Sequence, residues 1–553
     1  MMNYGIMKKM AKNIMLAFMA ILSAGCSGLM ETNPSTEVDK DLILNDVEGL
    51  EVAINGVYST MYNRIDFVTA NAHQCFGNMA VTLYADLMGE DMIQTAEGPG
   101  WFWKDYNYET RVRYTSKIQR CYFTWKYFYE IISNVNYILS VENTVSGDKK
   151  QIESIMSQAY TARAFAYFML IQAYQQTYKN HETLPGVPIY TEPTTSTSEG
   201  KGRGTVEDVY SQINNDLEAA ISGFKDCGIS QTDITNFDYY SANLLKARVA
   251  LVQNDWKTAA EAASEAMKKP GCSLLSRDEA TVVKGTFNDD TKEWTTGKTP
   301  FNSVSSSSVM WGAEVLPEQS TVFASFFSHM DACTDVYYAA ESPKCISNWL
   351  YSQIPDTDIR KGWWNGDIGI PAEDWDYGPN INYNQFKFQW KDQNAHTGDY
   401  IFMRLEEAYL IRAEALCRMG SEYESEAKQV LLELGSRRDT EYESRITNLT
   451  GSEQTFGSVG EVKTLLDEIL IQRRIELWGE TGRIFDILRL AKGWTRYWDI
   501  NGMKTNHTNY LSKYAEYLNF PADYIECILM IPQTEIDNNK NITASDQNPY
   551  IQQ

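Results

Sequence analysis

One pattern constrains the fold of this chain more than any other: paired amphipathic helices that carry small residues where they touch. Between Tyr239 and Met267 apolar residues recur at helical spacing and are interrupted once, at Asn254 and Asp255. Alanines at positions i and i+4 let two helix axes approach closely, and Trp256 fills the space between the two helices at the turn. The pattern predicts a helical hairpin similar to a tetratricopeptide unit.

The same pattern returns at uneven spacing along the chain. It is seen in Ile401 to Leu434, Val462 to Leu490, Ile118 to Tyr178, and Val206 to Phe224. Uneven spacing excludes a uniform solenoid, because a solenoid repeats at a fixed period. We therefore expect a mainly α fold, a single domain over residues 41–553, in which about four hairpins form a frame over about 115–268 and 399–492.

Two segments between the hairpins, about 63–114 and 270–398, have a different composition. They are rich in Gly, Asn, Asp and Ser, show little helical periodicity, and hold nine of the 14 tryptophans. Val309 to Val315 follows a serine run and predicts a short strand. Because functional residues are often carried on loops that a rigid frame holds, we expect this loop-rich, minor-β half of the fold to carry the functional residues.

The N-terminus predicts export and a lipid anchor. Three lysines precede an apolar run of nine residues, 14–22, which is too short to span a bilayer that needs roughly 20. The run ends in Leu22-Ser23-Ala24-Gly25-Cys26, which resembles a bacterial lipobox; an ordinary secretory signal is the alternative. We expect residues 1–25 to be cleaved, Cys26 to be acylated and inserted in membrane lipid, and 26–40 to form a polar tether.

Charge, cysteines and histidines exclude several classes of protein. The formal charge is 49 − 73 = −24, so the chain lacks the basic surface that nucleic-acid binding requires. The five histidines are scattered and no CxxC pair occurs, so we expect no metal site and no cofactor. Apart from Cys26 we expect buried free thiols, with Cys333 and Cys345 as the one pair close enough to suspect a loop disulfide.

Four blocks in order resemble the SusD/RagB family of surface nutrient-binding lipoproteins. They are Arg163 to Phe168 (RAFAYF), Met403 to Ala415 (MRLEEAYLIRAEA), Ile469 to Arg489 (ILIQRRIELWGETGRIFDILR), and Ile531 to Ile536 (IPQTEI). The resemblance implies a helical frame of tetratricopeptide-like units and a variable half that holds a glycan or other nutrient. It also implies no catalysis, an outer-membrane location facing the cell exterior, and a SusC-like TonB-dependent transporter as partner.

Aromatic side chains in the variable segments are the candidate ligand contacts. A sugar site needs aromatic planes against the C–H faces of the rings, together with polar groups for the hydroxyls. If residues 101–103 are extended, Trp101 and Trp103 lie on one side and Phe102 on the other. The other candidates, in the segment that the family uses for ligand contact, are Tyr337, Tyr338, Trp349 and Trp375.

The remaining tryptophans and the ionic residues have structural interpretations. Trp311 is expected in the core, and alternation along a strand would bury one of Trp363 and Trp364 and expose the other. Arg473, Arg474 and Glu476 are at spacings that usually form salt bridges on or between helices.

Three alternatives stay open beside glycan binding. A peptide or another nutrient could occupy the same kind of site. A glycoside hydrolase would need two carboxylates about 5 to 10 Å apart, for which Asp374 with Asp376, or Asp86 with Asp91, are available. A helical scaffold for protein partners would explain the hairpins but would leave the tryptophans of the variable segments without a role.

The lipobox generates a direct prediction. Replacing Cys26 by Ala removes the sulfur that would receive the lipid, so the variant should be unprocessed or soluble. Detergent phase partitioning and the mass of the N-terminal peptide measure this. A Cys26→Ala variant that partitions like the wild type would show that another feature anchors the chain.

Overall fold

The computed structural model describes residues 44–64, 72–195, 197–230, 233–288, 290–291, 293–295, 297–333, 337–370, 380–511, 519–522 and 524–549. The signal segment, Cys26 and the tether lie outside these residues. Within them, no helix combines the length and the apolar character needed to cross a bilayer.

Helices dominate the described residues. In chain order they are α1 Val47–Tyr62, α2 Asn78–Leu87, α3 Trp103–Tyr106, α4 Arg120–Ser140, α5 Lys149–Tyr174, α6 Val206–Cys227, α7 Tyr239–Gln253, α8 Trp256–Ala266, α9 Phe326–Met330, α10 Tyr337–Glu341, α11 Asn348–Ser352, α12 Leu405–Met419, α13 Glu424–Gly435, α14 Tyr442–Ile446, α15 Leu465–Glu476, α16 Arg483–Leu490, α17 Thr508–Leu511 and α18 Gln533–Asn538.

The strands are short and occur only as two-stranded antiparallel pairs in the described part of the chain. They are β1 Met92–Gln94, β2 Thr286–Asn288, β3 Glu293–Thr295, β4 Val309–Ala313, β5 Lys344–Ile346, β6 Tyr400–Arg404, β7 Trp494–Thr495, β8 Asp499–Ile500, β9 Met503–Lys504 and β10 Asn519–Phe520. The pairs are β1 with β5, β2 with β3, β4 with β6, β7 with β10, and β8 with β9.

The predicted helical frame is confirmed. Helix α4 packs on α5, α5 on α6, α6 on α7, and α7 on α8. Helix α8 then packs on α12, which in turn contacts α13 and α15, so the second frame segment continues the first. Both segments share one hydrophobic core with the variable segments. The fold class expected from the sequence, mainly α with minor β, is therefore the observed one.

The break between α7 and α8 shows how local sequence sets the hairpins. Asn254 ends α7 in the left-handed conformation, with φ at 61°, which asparagine tolerates better than most residues. Asp255 then begins α8 by accepting a hydrogen bond from the amide of Thr258. The alanines of α8 that are buried against its neighbours are Ala259, Ala260, Ala262, Ala263 and Ala266. Small side chains at these positions bring the helix axes close.

The start of the 401–434 hairpin differs from the expectation. Residues 400–404 form strand β6, and the helix begins only at Leu405. The predicted strand near Val309 is its partner, β4. Trp311 on β4 is 1% exposed and stacks on Phe237 at 4.0 Å, which confirms its place in the core. Tyr400, Ile401 and Phe402 are aromatic or β-branched, so they favour a strand when a partner strand lies beside them. The helical spacing of apolar residues, from which the hairpin was predicted, gives no information about that partner strand.

The free thiols expected for most cysteines are observed, and the alternation expected for Trp363 and Trp364 is corrected. Cys333 and Cys345 are both free thiols, as are the other cysteines among the described residues. Trp363 ends a short 3₁₀ helix and Trp364 follows it, and both are buried, so the alternation expected for a strand does not apply. The Trp363 indole nitrogen donates to the backbone oxygen of Ala280 at 2.8 Å, which satisfies its polar atom inside the core.

A buried ionic cluster centred on Glu476 joins the frame to the variable half. Its carboxylate accepts from Arg438 at 3.1 Å, from Arg404 at 3.3 Å and from Arg360 at 3.2 Å. The residues of the cluster are at most 2% exposed. Burial alone would raise the pKa of Glu476, but the guanidinium groups of Arg438, Arg404 and Arg360 hold it well below its ordinary value. Glu476 is thus salt-bridged as expected, but in the interior and with arginines distant in sequence, while Arg473 pairs with Asp486.

This cluster predicts a large effect of a small change. Glu476→Gln keeps the size of the side chain but leaves three buried guanidinium groups without their shared counter-charge, which costs about 3–5 kcal/mol of unfolding free energy. Glu426→Gln, which breaks an exposed pair with Arg412, is the matched control and should cost less than about 1 kcal/mol. Denaturant unfolding of both variants measures the difference, and equal losses would contradict a central role for Glu476.

Candidate functional site

Pairing between β1 and β5 brings two distant segments together. Gln94, at the end of β1, faces Lys344, at the start of β5. Because the strands are antiparallel, the chain that leaves β1 towards Trp101 and the chain that enters β5 from Tyr338 lie at the same end of the pair. The Gln94 side-chain amide donates to the backbone oxygen of Trp101 at 3.0 Å, which fixes the Trp101 loop against the strand.

Four aromatic rings meet at this end, and we call them the aromatic platform: His73, Trp101, Phe323 and Tyr338. His73 stacks on Trp101 with 5.1 Å between the ring centroids and 20° between the planes. Tyr338 meets both rings edge to face, at 5.6 and 5.9 Å. Phe323 lies 5.8 Å from Tyr338 and is 47% exposed, while the other three are half-buried. The platform therefore reaches the protein surface.

Hydrogen bonds hold the platform from below. The Tyr338 hydroxyl and His73 Nδ1 are 2.8 Å apart. His329, which is fully buried, stacks under Tyr338 at 5.0 Å and donates from Nε2 to the backbone oxygen of His73 at 2.6 Å. A carbonyl oxygen can only accept, so Nε2 carries the proton. Burial, together with the Lys344 ammonium, holds the pKa of His329 well below its ordinary value, so this ring is neutral at pH 7.

A cavity of about 290 Å³ opens beside Trp101. Its wall includes Gln74, Glu97, Lys104 and Arg120, so it offers an amide, a carboxylate and two cationic groups next to the indole. Arg120 is paired with the buried Asp105 at 3.1 Å and is fixed by it. Side chains of this kind can hydrogen-bond hydroxyl groups of a ligand that stacks on the platform.

The other predicted aromatic residues are placed differently. Trp103 is 6% exposed and Trp349 is 2% exposed, and the Arg474 guanidinium lies 4.9 Å above the Trp349 ring, so both pack within the protein. The backbone of Tyr337 belongs to α10, and Trp375 lies outside the described residues. Of the four candidate aromatics whose side chains the structure describes, Trp101 and Tyr338 are the two that it brings together at the surface.

The expected alternation of residues 101–103 does not occur. Phe102 has φ at 60°, in the left-handed region, and α3 begins directly after it. This turn sends Phe102 and Trp103 into the core and leaves Trp101 half-buried. An extended segment would instead have placed Trp101 and Trp103 side by side.

Sequence reasoning missed two members of the platform. His73 is a single histidine outside any motif, and Phe323 is in a loop without periodicity. His73 is far from Tyr338 in the sequence, and Phe323 is far from Trp101. Only the tertiary fold brings all four rings together. No local signal in the sequence distinguishes either from an ordinary core or loop residue.

The described carboxylate pair that a hydrolase would need is buried. Asp86 and Asp91 are each 3% exposed. Asp91 accepts from Arg474 Nε at 2.9 Å, and Asp86 accepts from the backbone amide of Arg483 at 2.8 Å. Burial raises the pKa of Asp86 to about 8. Both carboxylates thus connect α2 and the loop after it to the last frame hairpin and face no surface where a sugar chain could bind. Asp374 and Asp376 lie outside the described residues.

Two family models match the chain. Residues 45–235 match a SusD-like family described as starch-binding and associating with the outer membrane, and residues 374–550 match the SusD family. A SusD-like protein of Formosa agariphila is 25% identical over 165 residues, a stretch that covers 30% of this chain and 30% of that relative.

Solved structures agree in fold. A SusD-like carbohydrate-binding protein from Bacteroides vulgatus superposes with a TM-score of 0.70 at 22% identity, over 92% of this chain and 99% of that one. Surface glycan-binding protein A from Bacteroides thetaiotaomicron gives 0.63 at 16% identity, over 92% and 100% of the two chains. The solved structures agree with the helical fold, and the two family matches show that the chain belongs to the SusD/RagB family.

Proposed function

We propose that this protein is a cell-surface lipoprotein of the outer membrane that captures a glycan on the aromatic platform and delivers it to a TonB-dependent transporter. The observation that carries the proposal is the platform itself, in which Trp101, His73, Tyr338 and Phe323 meet at the surface. Capture and delivery are two separate steps, and each has its own test.

The platform suits sugar rings for physical reasons. A pyranose ring has apolar C–H faces and hydroxyl groups at its edges, so it binds best where an aromatic plane is flanked by polar groups. Trp101 supplies such a plane, and Gln74, Glu97 and Lys104 line the cavity beside it. Because His329 and the β1–β5 pair already hold the rings in place, a ligand would lose little free energy to ordering them.

Glycan capture is tested by measuring binding to a panel of oligosaccharides with the lipid-free protein from about Ser27 onward. Trp101→Ala should weaken binding about tenfold to a hundredfold, because a stacking indole buries apolar surface worth on the order of 1.5–3 kcal/mol. Calorimetry or affinity gels give the constants. A peptide mixture in the same assay covers the alternative nutrient class.

The matched control is Trp256→Ala, which removes another half-buried tryptophan, one that lies under Arg418 on the frame. Trp256→Ala should leave glycan affinity unchanged. Of the three variants, Trp103→Ala should lower the melting temperature most, because Trp103 is buried. Unaltered glycan binding by Trp101→Ala, or an equal loss in Trp256→Ala, would contradict the platform as the binding site. Binding of peptides and not of glycans would contradict glycan capture and favour a peptide as the nutrient.

Delivery requires a partner that spans the membrane. No helix among the described residues can do so, and the family resemblance names a SusC-like transporter. We expect the helical frame to pack on that transporter while the variable half faces the ligand. A stable interface of this kind buries more than about 1,000 Å².

The partner is tested by purifying the lipidated protein from native membranes in mild detergent and identifying what accompanies it by mass spectrometry. An outer-membrane transporter should be enriched, and it should be enriched equally with Trp101→Ala because ligand capture and docking use different surfaces. Recovery of the lipoprotein without any such transporter would leave a free binding protein and would contradict delivery through a stable complex.

A further inference from the structure

A second groove, of about 720 Å³, lies on the frame and is separate from the platform. One side of α4 lines it, and the chain around residues 190–195 and 198–200 and the helix α18 complete it. Its volume is within the range of about 300–1,000 Å³ that is usual for small-ligand sites.

Helix geometry separates this groove from the platform. Arg120, at the start of α4, lines the cavity beside Trp101, whereas Tyr129 lines the groove. The two residues are nine positions apart, or about two and a half turns, so they lie on opposite sides of α4 and about 13.5 Å apart along its axis. A ligand in the groove therefore does not share the platform's contacts.

Three aromatic rings form one wall of the groove. Trp125 and Tyr129 are 4.9 Å apart, and Tyr190 meets Tyr129 edge to face at 5.9 Å. Tyr129 and Tyr190 are half-buried and so keep part of each ring accessible.

The polar atoms of these rings already have partners within the protein. The Tyr129 hydroxyl donates to the backbone oxygen of Pro188 at 2.8 Å, and the Tyr190 hydroxyl accepts from the amide of Lys201 at 2.9 Å. The Trp125 indole donates to Glu535 at 3.3 Å. What the rings offer to a ligand is therefore their apolar faces, held in fixed orientations.

Apart from Tyr122, Ile132 and Gly200, the rest of the lining is polar, and it carries no excess of positive charge. Carboxylates, one ammonium, and amide and hydroxyl groups line it: Glu130, Glu199, Glu535, Lys126, Asn134, Asn538, Ser133 and Ser198. A second ammonium, that of Lys201, lies 5.6 Å from the Tyr190 ring. Three carboxylates against two ammonium groups do not favour an anion, whereas amides, hydroxyls and carboxylates can all hydrogen-bond sugar hydroxyls.

We propose that this groove is a second sugar-binding site, for an uncharged oligosaccharide. Fixed aromatic faces beside a rim of hydrogen-bonding groups are the combination that such a ligand requires. The site goes beyond capture on the platform, because it uses other residues on another side of α4, and it requires that the transporter contact the frame elsewhere than at this groove. With two sites, one protein could hold two chains, or two parts of one polysaccharide.

The test measures binding stoichiometry by calorimetry with maltohexaose, laminarihexaose and mannohexaose, and with oligogalacturonate as the anionic probe. Tyr129→Ala removes the ring face, and Tyr129→Phe keeps that face and removes only the hydroxyl, which points to Pro188. In the Trp101→Ala background, Tyr129→Ala should weaken the remaining binding of an uncharged probe at least tenfold, and Tyr129→Phe should retain it within about threefold. Glu130→Arg, at an exposed position, should also weaken it, and melting temperatures show that each variant is folded.

The outcomes distinguish the two sites. Residual binding in Trp101→Ala that Tyr129→Ala removes supports the groove. Loss of all binding in Trp101→Ala overturns the second site and leaves the platform intact. Loss through Tyr129→Ala with no effect of Trp101→Ala supports the groove and overturns the platform. If no uncharged probe binds, or if oligogalacturonate binds the groove as tightly as they do, the second site as proposed is wrong.

Discussion

The structure depends on the buried carboxylate of Glu476. Three arginines share it, and they come from three parts of the chain: Arg404 from the end of β6, Arg438 from the loop after α13, and Arg360 from the variable segment. A buried charge is tolerated only when it is paired and hydrogen-bonded, so these contacts must form together. The cluster therefore fixes the variable half on the helical frame, and the position of any surface site follows from that attachment.

A short series of contacts connects the frame to the platform. The frame holds Asp91 through Arg474, and Asp91 directly precedes β1. The β1–β5 pair then sets the distance between the Trp101 loop and α10, and so places Trp101 and Tyr338 with 5.9 Å between their rings. The position of the Trp101 loop is thus set by buried ion pairs that lie outside the proposed binding site.

The sequence predicted the frame well because its signals are local. Helical periodicity, the turn at Asn254 and the ordered family blocks are all read within a few tens of residues. The proposed binding surface was predicted only in part. Trp101 and Tyr338 were identified by residue type, but the left-handed Phe102 buries Trp103, and His73 and Phe323 join the platform only through tertiary contacts. Strand β6 was missed for the same reason, because its partner β4 lies about 90 residues away.

The polar groups beneath the platform show why its rings stay in place. Lys344 is buried, and its ammonium donates to the backbone oxygen of Ser342 at 2.8 Å; burial lowers its pKa to about 7. His329 stays neutral and donates to the backbone of His73. Lys344 Nζ and His329 Nε2 both donate to main-chain oxygens next to the platform, so a shift of the rings would break these buried bonds. The rings are therefore ordered before any ligand binds, so little of the free energy of stacking would be lost to ordering them.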